Sequence, residues 1–170
     1  MTAILVDMDD CIVKVAKVYD IPPDVIRGIV AFESGGQWAA RTYVYDHKHL
    51  FDPNDGHPWR TLTMEQYCSD EPAEDFDGLV TVTEPDEEWI GQKTKWGPMQ
   101  ILGNITRELG FTGKFQELMG SAGVRFGVAH LRRLMNEGRS LDEAIAAYGA
   151  NCPTPKGISY LEQVKSWKKE

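Results

Sequence analysis

Glu33 stands where an apolar side chain is expected. In the stretch VIRGIVAFESGGQW, Ile26, Ile29 and Val30 fall at i, i+3 and i+4, the buried stripe of an amphipathic helix, and Glu33 is the next position on that stripe. Gly35 and Gly36 end the helix. Two effects keep a proton on such a carboxyl: burial disfavours the charged form, and the C-terminal end of the helix dipole disfavours an anion. A carboxylic acid still protonated near neutral pH can protonate a leaving oxygen, as a glycosidase requires. From the periodicity alone, the other reading is a frayed helix end with Glu33 turned to water.

The elements around Glu33 read as mainly helical. DDCIVKVAKVYD sets Ile12, Val15, Ala16 and Tyr19 on one face, and Pro22 and Pro23 open the helix that reaches Glu33. GPMQILGNITRELG reads as a helix opened by Pro98 and closed at Gly110. A further helix runs to Asn136 before Gly138, and the next begins with a capping box at Ser140 to Glu143. ISYLEQVKSW closes the pattern, with Ile158, Leu161, Val164 and Lys165 expected on one side. Residues 39–96 break the helical rhythm and read as an irregular acidic insertion. It has a short helix capped at TMEQ, Thr63 to Gln66, a strand-like GLVTVTE from Gly78, and room for one hairpin. The expectation is a single domain spanning residues 1–170.

Composition narrows the function. The 170 residues carry a net charge of −8, and residues 39–96 hold the whole excess, with 13 acids against 5 bases. That balance argues against a nucleic-acid partner and against anionic lipid. Cys11, Cys68 and Cys152 match no metal spacing and are expected as reduced thiols. His47, His49 and His57 lie among the acids of the insertion in no common ligand pattern, so no metal is expected.

Three short motifs in order, AFESGGQW, GPMQI and AAYGAN, resemble those of the soluble lytic transglycosylases of glycoside hydrolase family 23, relatives of goose-type lysozyme. The likeness covers roughly residues 10–38 and 96–167, and YLEQVKSW looks like the family's last helix. It implies a lysozyme-like fold with Glu33 as acid/base and Ser34 helping to set the geometry beside it. Met99 and Gln100 would form the groove wall, and the hydroxyl of Tyr148 would approach the carboxylate; read from the residues alone, Met99 and Tyr148 are alternatively core side chains and Gln100 a solvent-facing one. Two departures stand out. Pro98 replaces the family's Leu, and Gly149 replaces the Asn after the tyrosine, with Asn151 a candidate substitute.

The insertion is longer than the family's usual connection. Its aromatics, with Trp38 just before it and then Tyr43, Tyr45, Trp59 and Trp96, are candidate sugar platforms or, alternatively, pins for a long loop. Asp46, Asp52 and Asp55 are candidates for a second, water-activating carboxylate, with surface or turn-forming roles as the alternative.

The resemblance implies cleavage of the β-1,4 bond between N-acetylmuramic acid and N-acetylglucosamine in peptidoglycan, giving 1,6-anhydromuramic ends. A muramidase acting on the same bond and an inactive wall-binding module are the alternatives. The expected protein is a monomer that binds glycan strands and needs no cofactor. MTAILVDMDDC reads as no signal peptide. A wall-cleaving domain without one fits a bacteriophage endolysin or a virion-associated wall enzyme.

Overall fold

The prolines at 22 and 23 start the helix that carries Glu33, and glycines stop it. In the computed structural model, which describes residues 8–45, 47–77, 82–150 and 155–167, α1 spans Met8–Tyr19 and α2 spans Pro23–Ser34. Gly35 adopts the left-handed conformation, φ 62°, and its N–H returns to the carbonyl of Ala31. Ile26 and Ile29 are fully buried and Val30 nearly so, so the stripe read from the sequence is the one that packs. Burying each such side chain contributes about 1.5–3 kcal/mol.

The chain is mainly α. Beyond α2 come α3 (Met64–Tyr67), α4 (Pro85–Gln92), α5 (Gly103–Glu108), a 3-10 helix (Phe115–Met119), α6 (Ser121–Asn136), α7 (Leu141–Ala150) and α8 (Pro155–Ser166). Both expected capping boxes form. Thr63 and Gln66 exchange side-chain and backbone bonds, as do Ser140 and Glu143. The main core joins α1, α2, α6, α7 and α8, with Ile26, Ile29, Val124, Leu131, Ile145 and Val164 at its centre. α2 and α8 touch closely, because a Cβ on Gly28 would stand 2.5 Å from the carbonyl oxygen of Val164.

Two readings of the helices need correction. The segment from Gly97 is not one helix opened by Pro98. Residues 97–100 form a turn, with the N–H of Gln100 donating to the carbonyl of Gly97. Ile101–Leu102 is then a strand, β5, and the helix begins only at Gly103. Gly97, at φ 71°, makes the turn feasible, and apolar Ile101 and Leu102 are buried by pairing with Trp96 and Lys95. On α8, Tyr160 and Val164, four apart, form the buried pair, while Lys165 is exposed and pairs with Asp142. Leu161, expected on the same side as Val164, does pack against the main core, so Lys165 is the residue misplaced and Tyr160 the one missed.

The insertion is more ordered than its sequence suggests. β1 (Arg41–Tyr43) pairs antiparallel with β4 (Thr94–Trp96), which pairs with β5, giving a sheet in the order β1-β4-β5. A second hairpin joins β2 (Phe51–Asp52) to β3 (His57–Pro58). Leu50, Leu62, Phe76 and Trp89 form a small separate core, with Trp59, Phe76 and Trp89 meeting edge to face at 5.2–6.3 Å. Of the strand-like GLVTVTE, residues 78–81 lie outside the described residues, and 82–84 form the entry to α4.

A buried ion pair fastens this unit to the rest of the chain. Arg107 of α5 grips Glu88 of α4 with two bonds of 2.8 and 2.9 Å, and neither side chain is exposed. Thr83 and Gln92 donate to the same carboxylate, and Gln92 also bonds the backbone N–H and carbonyl of Phe51. Both Nη1 protons are met, by the carbonyls of Phe111 and Gly113. A buried pair is tolerated only when its polar atoms are satisfied in this way.

Candidate active site

Glu33 faces a cavity of about 220 Å³ on the last turn of α2. Lys95 from β4, Gln100, His130 from α6, and Tyr148 and Gly149 from α7 share its walls. Burial pushes the Glu33 carboxyl above the ordinary carboxylate range; the charge of Lys95 and the Tyr160 hydroxyl oppose the rise without cancelling it. Tyr160 Oη is buried and completes no hydrogen bond of standard geometry, so its effect on Glu33 is that of a near approach. Both Tyr148 and Tyr160 have their phenols pushed up, by burial first and then by the nearby Glu33 charge.

The residues singled out from the sequence divide by place. Glu33, Gln100 and Tyr148 converge on one cavity. The Tyr148 hydroxyl donates to the carbonyl of Met99 at 2.8 Å, so its proton is already committed there. The Met99 side chain is fully buried in the main core and cannot form a groove wall; α6 passes so close that a Cβ on Gly127 would meet its sulfur at 2.6 Å. Gln100 takes a left-handed backbone, φ 49°, unusual for a side-chain-bearing residue. Its amide accepts from Thr42 at 2.6 Å and donates to the Gly97 carbonyl at 3.0 Å. The second amide proton is what remains for a ligand. Ser34 Oγ donates back to the Val30 carbonyl within its own helix at 3.1 Å. Trp38 is half-buried against the main core. Asn151 lies outside the described residues.

The insertion residues also find places. Asp52 caps its own turn by accepting from the N–H groups of Asn54 and Asp55. Asp46 lies outside the described residues. Trp59 belongs to the insertion's core, and Trp96 is buried and stacked on Phe115 at 5.7 Å. Tyr43 and Tyr45 line a different cavity. Cys11 and Cys68 are free thiols, and Cys152 is outside the described residues. Among the described residues no three His, Cys, Asp or Glu side chains gather as a metal site, and no helix is long and apolar enough to cross a membrane.

Two cavity residues, Lys95 and His130, and Tyr160, which approaches Glu33 from beside the cavity, were not read from the sequence. Lys95 carried a faint signal: it alternates with the buried Trp96 on a short strand ending at Gly97. Tyr160 was visible only as an i, i+4 partner of Val164. His130 lies inside an apolar helical run with nothing to distinguish it from a core residue. Arg133 donates to His130 Nδ1 at 3.2 Å, so the lone pair is on Nδ1 and the proton on Nε2. Burial and the Arg133 charge push this imidazole down to about 4, which keeps it neutral.

Gly149 has a steric cause. A Cβ there would come within 2.4–2.7 Å of the Tyr160 ring. No larger residue fits at that position while the tyrosine stands over it.

Fold and site together define a mainly helical chain whose cavity holds a desolvated carboxyl among a lysine, a neutral imidazole and Tyr148, with Tyr160 approaching the carboxyl from beside it. No protein-family model, curated protein or solved structure matches the chain.

Proposed function

We propose that this chain is a lysozyme-like lytic transglycosylase that cleaves the β-1,4 bond between N-acetylmuramic acid and N-acetylglucosamine in peptidoglycan. The observation that carries the reading is Glu33: a carboxyl raised by burial and, among the described residues lining its cavity, the sole carboxylate. An inverting hydrolase needs a second carboxylate roughly 6.5–9.5 Å away to activate water. The one-carboxylate cavity favours a reaction in which the same group gives and then takes a proton.

In that reaction, protonated Glu33 gives its proton to the glycosidic oxygen as the bond to the muramic C1 breaks. The substrate's acetamido oxygen bonds to C1 and holds the positive charge. The Glu33 carboxylate then takes the proton of the muramic 6-hydroxyl, O6 attacks C1, and the acetamido bond opens. The products are a free 4-hydroxyl and a 1,6-anhydromuramic end, with no water consumed. Tyr160 and Lys95 would steady the carboxylate in its ionised phase, and the Nε2–H of His130 offers a neutral donor to a sugar oxygen. The same reading makes the bacterial wall the place of action, as for a phage endolysin or a virion-associated enzyme.

Mass spectrometry of peptidoglycan digested with the purified protein tests this. Anhydro ends that vanish with Glu33→Gln are expected. Reducing ends would replace the reading with a muramidase, and no cleavage by folded protein would remove the enzymatic reading altogether.

A further inference from the structure

The β1–β4 ribbon has a cavity on each side. Its register pairs Arg41 with Trp96, Thr42 with Lys95, and Tyr43 with Thr94. Because side chains alternate across a strand, Thr42 and Lys95 point to one face and the other four to the opposite face. The first face serves the Glu33 cavity: Lys95 lines it and Thr42 holds Gln100. On the second face lies a larger cavity of about 520 Å³, bounded by Arg41, Tyr43, Tyr45, Asp70, Thr94 and Trp96. Its size falls within the roughly 300–1,000 Å³ of small-ligand sites.

This second cavity holds charges of both signs. Arg41 and Asp70 are exposed, and among the described residues neither takes part in an ion pair. Tyr43 and Tyr45 meet edge to face at 4.7 Å and give a rigid apolar wall. Lys93, buried behind Tyr43 at 5.4 Å and bonded to the Ser69 carbonyl, supports that ring from within.

The backbone adds a third recognition element. Ala40 O accepts from Gly97 N, and Val44 N donates to Lys93 O, so the even-numbered residues of this strand turn their backbone groups towards β4. Those of Arg41 and Tyr43 turn outward, and no other described strand covers β1, the edge of its sheet. Outward-facing amides beside a cavity suit a peptide better than a sugar.

We propose that this cavity receives the peptide stem that branches from the muramic acid. A carboxylate of the stem pairs with Arg41 and an amino group with Asp70. The stem's aliphatic carbons lie against Tyr43 and Tyr45, and its amides meet the β1 edge. A neutral sugar would leave Arg41 without a partner among the described residues and Asp70 with only the nearby Tyr43 hydroxyl and Lys93 charge. A stem leaving a glycan in the Glu33 cavity reaches the second face by passing over β1. The site thereby makes the enzyme prefer stem-bearing glycan. The inference rests on the proposed function, and its test does not require catalysis.

The full chain carrying Glu33→Gln is titrated calorimetrically with a synthetic stem tripeptide, L-alanyl-γ-D-glutamyl-diaminopimelate. Saturable binding is expected, weakened at least about fivefold by Arg41→Ala or Asp70→Asn, as for loss of a charge-assisted hydrogen bond. Amidating the peptide's carboxylates should weaken binding to the parent but add little to Arg41→Ala. In the active enzyme, Arg41→Ala should raise KM for stem-bearing glycan and leave KM for stem-stripped glycan unchanged. Absence of tripeptide binding to folded protein, or equal loss on both glycans, overturns the inference while leaving glycan cleavage intact. Tripeptide binding without any cleavage would instead retain the site and remove the transglycosylase reading.

Discussion

Gly149 leaves the space in which the Tyr160 ring sits: a Cβ at 149 would stand 2.4 Å from that ring. The motif position where the resemblance expects Asn is thus glycine because a tyrosine from another helix covers it. Gly149→Ala should displace Tyr160 from Glu33 and lower turnover at least about tenfold. Overpacking should cost about 1–3 kcal/mol of stability. Thermal unfolding and rates measured on the same preparation check both. A folded variant with parental turnover would detach Tyr160 from function.

Glu33→Gln should reduce cleavage by at least about 100-fold, the scale of general acid–base contributions. It should also change stability in a pH-dependent way. The folded carboxyl is raised by burial, so its favourable contribution is complete below the unfolded value and is lost as pH rises through the folded one. The variant should therefore gain melting temperature over the parent at pH 8 and little or none at pH 4.

Tyr160 and Lys95 both hold the Glu33 pKa down. Tyr160→Phe and Lys95→Met should each raise it further. Since the acid must be protonated for the first step, the alkaline limb of the pH–rate profile should move to higher pH. Tyr148→Phe should act otherwise. Its hydroxyl is bonded to Met99 O, so its loss should move stability more than the limb. A limb that shifts only with Tyr148→Phe would reverse these assignments.

His130 should make the fold acid-labile. Its folded imidazole is pushed down to about 4, so the stability tied to its neutral form is present above the unfolded value, near 6.5, and is lost as pH falls towards 4. His130→Gln should flatten the decline in melting temperature between pH 6.5 and 4. An unchanged slope would show that other groups govern acid unfolding.

Arg107→Leu leaves the buried Glu88 carboxylate without its cation and should cost about 3–5 kcal/mol. The double change Arg107→Leu with Glu88→Leu should cost much less, because no charge is stranded. Chemical denaturation of the parent, Arg107→Leu, Glu88→Leu and the double variant tests this through the coupling between the two positions.

The sequence carried the Glu33 helix almost whole, because periodic apolar residues, two prolines and two glycines all marked the same element. The capping boxes were equally legible, being local chemistry between residues three apart. What stayed hidden was non-local. Pro98 looked like a helix start because the turn at Gly97 makes sense only once β4 lies alongside to pair with Ile101 and Leu102. Met99 looked like a groove residue because nothing local says that Gly127 admits α6 against it. Tyr160 reaches Glu33 from 127 positions away in the chain, and only packing brings them together. Lys95 and His130 come from two further elements, so the electrostatics of the cavity could not be assembled from motifs.

The contact between Gly28 and the Val164 carbonyl has a mechanical consequence. Glu33 lies five residues along α2 from that contact, and Tyr160 four residues along α8, about 6–8 Å at 1.5 Å per residue. The contact therefore acts as a fulcrum for the stretches of the two helices that carry the carboxyl and its tyrosine. A methyl group at position 28 would be a wedge there, prising α8 outward, and the gap would open in a cavity it never touches. The placing of Tyr160 against Glu33 is thus set at a point of backbone contact outside the cavity that Glu33 lines.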